Sequence, residues 1–132
     1  MIKHVLLAAG VAGCLTATLT GCTKEEPQTY QVSFYTPTPN QPLRLYVEGA
    51  DWGMLPYLAQ TPSCPGTQSD GAKALVKPMA SGEYRVECRN AQGAVVNQGT
   101  IRMSTRSMGS SGTMGGGSMQ SNESCVAVGL WY

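Results

Sequence analysis

The sequence predicts an all-β fold, a small antiparallel β-sandwich. Three observations carry that prediction. Several short runs alternate apolar and polar residues with a period of two, the pattern of half-buried strands. Sixteen Gly and eight Pro among 132 residues punctuate those runs with turns. No window sustains a helical period between convincing caps. The length suits one domain, and a formal net charge of +1 supplies no basic field for nucleic acid.

In chain order, Tyr30-Gln31-Val32-Ser33-Phe34-Tyr35 places Tyr30, Val32 and Phe34 on one face. Pro37, Pro39, Asn40 and Pro42 then break the chain. Leu43 to Glu48 follows, with Leu43, Leu45 and Val47 on its apolar face. The segment Gly49 to Tyr57 reads as a turn that presents Trp52 and Tyr57. A short strand is expected at Ala74 to Val76 and a turn at Ser81-Gly82. Glu83 to Arg89 has the clearest alternation: Tyr84, Val86 and Cys88 on one face, charges of alternating sign on the other. Asn90 to Gly93 is a tight connection to a strand ending at Gly99 to Met103. Cys125 to Tyr132 is nearly all apolar and reads as a buried strand. Parity turns Tyr35, Tyr46 and Trp131 outward.

The N-terminus has a different character. Lys3 precedes an uncharged run, Val5 to Leu19, rich in Val, Leu, Ala and Gly. It falls short of the roughly 20 apolar residues that span a bilayer and has the flanks of a secretory signal. The run ends Leu19-Thr20-Gly21-Cys22, which resembles the lipobox of bacterial lipoproteins. That resemblance implies removal of residues 1–21 and acylation of Cys22 with palmitate-type chains. Val11-Ala12-Gly13-Cys14 has the same shape, but cleavage there would leave an apolar stub and a signal core near the lower length limit. Thr23 is not the Asp that marks inner-membrane retention in enteric lipoproteins, so the resemblance implies the outer membrane. Lys24-Glu25-Glu26 is similar to the short export signal of surface lipoproteins and fits a solvated tether equally well. The expected organisation is a signal at 1–21, a tether at 22–29 and a sandwich at 30–132.

Within the sandwich, Leu45-Tyr46-Val47-Glu48-Gly49, then Gly53, Leu55 and Pro56, and later Gly82-Glu83-Tyr84-Arg85-Val86 resemble the PEGA domain, a small β module of bacterial envelope proteins. The long insert Ala59 to Ala80 and extra strands at both ends depart from that pattern. The resemblance implies an immunoglobulin-like or PEGA-like sandwich and transfers no activity.

After cleavage the chain would carry eight basic and eight acidic side chains and no His, since His4 is the only one. It therefore has no imidazole base and no His metal ligand. No nucleophile elbow or phosphate loop is present. The sequence thus predicts no enzyme and no resident cofactor. Cys64, Cys88 and Cys125 allow three single bridges in an exported protein. Cys88 sits on an apolar strand face, which favours Cys64–Cys125, with Cys64–Cys88 the alternative. Closing that loop of about 60 residues contributes about 4 kcal/mol in the chain-entropy picture. Ser104 to Ser121 contains five Gly and six Ser in 18 residues, so 104–123 is expected to be a flexible loop. Its Met108, Met114 and Met119 could gather round a soft ion such as Cu(I). Trp52 and Tyr57 are the candidate binding aromatics, with Trp52 also suited to covering the sandwich edge. The functional expectation is a non-catalytic binding or scaffolding lipoprotein of the outer membrane or cell surface, with an envelope protein or glycan as partner. The competing expectation is a Cu(I)-handling lipoprotein.

Overall fold

A computed structural model describes residues 28–63, 73–122 and 124–132. The predicted signal, most of the tether with Cys22, and Cys64 lie outside the described residues. The described chain forms nine strands and no helix. They are β1 (Thr29–Tyr35), β2 (Arg44–Val47), β3 (Ala50–Met54), β4 (Leu75–Ala80), β5 (Gly82–Arg89), β6 (Val95–Met103), β7 (Met108–Met114), β8 (Gly116–Asn122) and β9 (Cys125–Trp131). A four-stranded sheet runs β4-β1-β9-β8, and a five-stranded sheet runs β3-β2-β5-β6-β7. Their inner faces meet in one core, so the predicted sandwich is the fold. Its pairing is antiparallel except between β1 and β9, which run parallel.

The alternating runs explain that core. Tyr30, Val32 and Phe34 of β1 are buried against Leu45 and Val47 of β2, Val86 and Cys88 of β5, and Val126, Val128 and Leu130 of β9. Strand β4 extends past the expected Ala74 to Val76 and includes Pro78. Proline lacks the N–H a central strand needs, and β4 tolerates it because it is an edge strand.

Two segments differ from expectation. The turn expected at 49–57 is largely strand β3. Glu48 and Gly49 both have positive φ (51° and 83°), which closes a two-residue hairpin between Val47 and Ala50. Glu48 is held in that backbone by β5: its N–H donates to the Arg85 carbonyl at 2.9 Å, and its Oε2 accepts the Arg85 N–H at 2.6 Å.

The flexible loop expected at 104–123 is instead β7 and β8. Ser104 starts the reversal, because its hydroxyl accepts the N–H groups of Arg106 and Ser107. β7 then pairs along β6 from Met103↔Met108 onward, and β8 pairs along β9 from Gly116↔Trp131 to Asn122↔Cys125. The chain passes from one sheet to the other through a single residue, Gly115, at φ 78°. Backbone pairing to two apolar strands orders a segment whose own side chains carry little burial. Met108 and Met119 pack against the core.

Candidate binding site

Trp52 lies at a bulge. Leu45 pairs with Gly53 and Tyr46 with Asp51, so Trp52 is the extra residue. Gly53 supplies the positive φ (101°) that the bulge needs, and its N–H donates to Asp51 Oδ1 at 2.9 Å. That bond first, and the Arg44 guanidinium second, hold the Asp51 carboxyl below its ordinary range. The bulge turns Trp52 towards the other sheet. Its ring meets Phe34 edge-on at 5.8 Å, and the Lys77 ammonium lies 5.5 Å over it. Trp52 therefore seals the sandwich edge, and its aromatic surface is partly used there. Tyr57 is half exposed, beside Thr36, with which it forms a single parallel bridge. Residues 55–63 fold over the outer face of the four-stranded sheet. They bury Tyr35, whose hydroxyl is 3.2 Å from Thr61 Oγ1. Parity turned Tyr35 outward, and it does lie on the outer face; the covering segment buries it there.

The outer face of the five-stranded sheet stays open. Tyr46 does point outward there, and the Arg89 guanidinium stacks 4.3 Å over its ring. Arg89 also pairs with Glu87 at 3.0 Å. Arg44 pairs with Asp51 at 3.1 Å and Arg102 with Glu83 at 2.7 Å. Arg85 belongs to none of these pairs among the described residues. A shallow groove of 330 Å³ crosses this face, lined by Tyr46, Arg85, Arg89, Gln98, Thr100 and Thr113 among others. It offers guanidinium, amide and hydroxyl groups beside one aromatic ring, with Arg85 and Arg89 facing the single carboxylate of Glu87. Such a surface suits hydrogen-bonded recognition of a polar partner. The sequence signal was present in the alternating charges of Glu83 to Arg89, but their meaning depends on which strands flank β5.

The methionines are not brought together. Met108 and Met114 occupy opposite ends of the seven-residue β7, about 20 Å apart along an extended strand. Met108 and Met119 are turned to the core, while Met114 is nearly half exposed. The expected three-methionine site therefore does not form on this backbone. Among the described residues no group of three or more His, Cys, Asp or Glu side chains could hold a metal.

Cys88 is free and buried, and burial pushes its thiol up to about 12. Cys125 is disulfide-bonded. It lines a 370 Å³ groove together with Ser63, the residue before Cys64. No family model, curated protein or solved structure matches the chain.

Proposed function

We propose that this protein is a lipoprotein of the bacterial outer membrane, acylated at Cys22, whose β-sandwich is a non-catalytic binding or scaffolding module. The observation that carries this reading is Leu19-Thr20-Gly21-Cys22 at the end of the apolar run. The spacing to the fold supports it. β1 begins at Thr29, seven residues after Cys22, and a link of that length reaches at most about 25 Å. The sandwich is then held within roughly its own diameter of the bilayer. More than one acyl chain on Cys22 makes the anchor firm, since a single chain is marginal.

The partner in this reading is an envelope protein or a glycan, met by the outer face of the five-stranded sheet around Tyr46 and Arg85. The residues that carry the PEGA resemblance fall in β2, the turn after it, β3, the segment just after β3 and the start of β5. β2 has β3 and β5 as its two neighbours in that same sheet. In this reading Cys64 bridges Cys125. Cys88 is free, and Ser63 lies in the same groove wall as Cys125.

Metabolic labelling with a fatty-acid analogue tests the anchor. Label should enter the wild-type protein and the Cys14→Ala variant and be absent from Cys22→Ala. Label retained in Cys22→Ala and lost in Cys14→Ala would move the anchor to the other site. No label in any form would remove the lipoprotein reading.

A further inference from the structure

A cleft of 160 Å³ opens between the two sheets at the corner where β7 becomes β8. Val86, Ile101, Leu130 and Met114 supply its apolar lining, five glycines supply much of the rest, and Ser110 and Ser111 stand at its β7 side. Three of those glycines have a steric reason. A Cβ on Gly99 would meet the Ser111 carbonyl oxygen at 2.5 Å, one on Gly115 would strike Asn97, and one on Gly116 would strike the Trp131 indole. Gly117 has no such reason. It pairs with Leu130, on the inward side of β8, and a Cβ there would make only ordinary contacts at 3.4 and 3.5 Å. Glycine inside a strand weakens it and often marks close approach of something else. Gly117 is itself exposed, so its effect is to leave this end of the core open to solvent, where a larger side chain would cover it.

The cleft also has a polar wall. Asn97 is only 4% exposed. Its Nδ2 donates to the Gly116 carbonyl at 2.8 Å and the Trp131 carbonyl at 2.7 Å. Both amide hydrogens are thereby used, and Oδ1 keeps its acceptor capacity with no donor among the described residues. An enclosed apolar cavity of about 150 Å³ takes up benzene; this cleft has that size, with an open mouth and polar groups in its wall. We propose that this cleft binds a small aromatic molecule, about one ring in size, that carries a hydrogen-bond donor. The ring lies against Val86, Ile101 and Leu130, and the donor meets Asn97 Oδ1. The site is independent of the anchor at Cys22 and lies on the opposite side of the five-stranded sheet from the Tyr46 face.

Phenol and fluorobenzene are the probes, since fluorine is close to hydroxyl in size and cannot donate. Titrated into the purified full chain, phenol should shift the methyl NMR signals of Val86, Ile101 and Leu130 saturably and leave those of Val32 and Val47 in place. Fluorobenzene should bind about tenfold more weakly, the loss expected for one hydrogen bond. Gly117→Leu should abolish the response by filling the cleft. Gly117→Ala, which adds a single methyl at ordinary contact distance, should weaken it and serves if the larger variant does not fold. Shifts that never saturate, shifts of equal size at Val32, equal affinity for the two probes, or undiminished binding in a folded filled variant would each overturn the proposal.

Discussion

At Cys88 the side chain faces inward from β5 and is 1% exposed. Burial is the main reason its pKa rises from 9.0 to about 12, and the neighbouring Glu87 carboxylate adds to it. The folded state therefore holds the thiol proton more tightly than the unfolded chain does. Its contribution is fully present below pH 9.0 and is lost as pH rises towards about 12. Wild-type stability should fall with pH across that window relative to Cys88→Val, by about 2 kcal/mol at roughly pH 10.5. Urea unfolding of both proteins measures this, because Tyr and Lys titrations are common to the two and cancel. Parallel curves would mean the thiol is not buried as described. The same burial makes Cys88 slow to alkylate before unfolding, and non-reducing peptide mapping should recover Cys125 linked to Cys64. Burial also explains Trp52. Its place on a loop-like sequence suggested availability, but the bulge at Tyr46 and Asp51 commits its ring to a T-shaped contact with Phe34.

Strands β1, β2, β5 and β9 were legible because each carries its own burial pattern in its side chains. β3, β7 and β8 were not, and for different reasons. β3 follows a hairpin whose first residue, Glu48, is neither Gly nor Asn, so its positive φ had no residue-type signal. It is stabilised by contacts to Arg85, 37 residues away. β7 and β8 are built mainly from Gly, Ser, Thr and Met, a composition that alone predicts a flexible chain. Their order comes from the ladders offered by β6 and β9. The loop expectation implied that removing Met108 to Met119 would be nearly neutral; the strands reverse that. Replacing this stretch by a short Gly/Ser connector removes an edge strand from each sheet and uncovers Ile101, Met103 and Leu130. The melting temperature should drop by more than about 10 °C, which corresponds to roughly 2 kcal/mol for a domain of this size. An unchanged melting temperature, read by circular dichroism, would mean that β7 and β8 carry no stability. The candidate face was only half visible for the same reason. Arg85 and Arg89 could be placed on one side of β5, but Thr100, Gln98 and Thr113 join them only through pairing with β6 and β7.

Across the whole molecule, the chain's first and last strands lie side by side. β1 and β9 are the two interior strands of the four-stranded sheet, paired in parallel from Gln31↔Cys125 to Tyr35↔Gly129. Parallel neighbours have no hairpin to bring them together, so that pairing closes the long stretch of chain between them. β9 is therefore the element that closes the sandwich. It buries Val126, Val128 and Leu130 between β1 and β8, and it supplies the Trp131 carbonyl that Asn97 binds. Burying three such side chains contributes roughly 5–9 kcal/mol, comparable with the whole stability of a typical domain. Truncation after Asn122 also strips β8 of its ladder partner and removes Cys125. The truncated chain should show no cooperative thermal transition and no dispersed methyl signals. Deletion of Met108 to Met119 should by contrast keep a cooperative transition at lower temperature, since it takes only edge strands. A truncated chain that still melted cooperatively would mean that β1, β4 and the five-stranded sheet form a core without β9. The parallel pair would then be a late addition to the fold and not its closure.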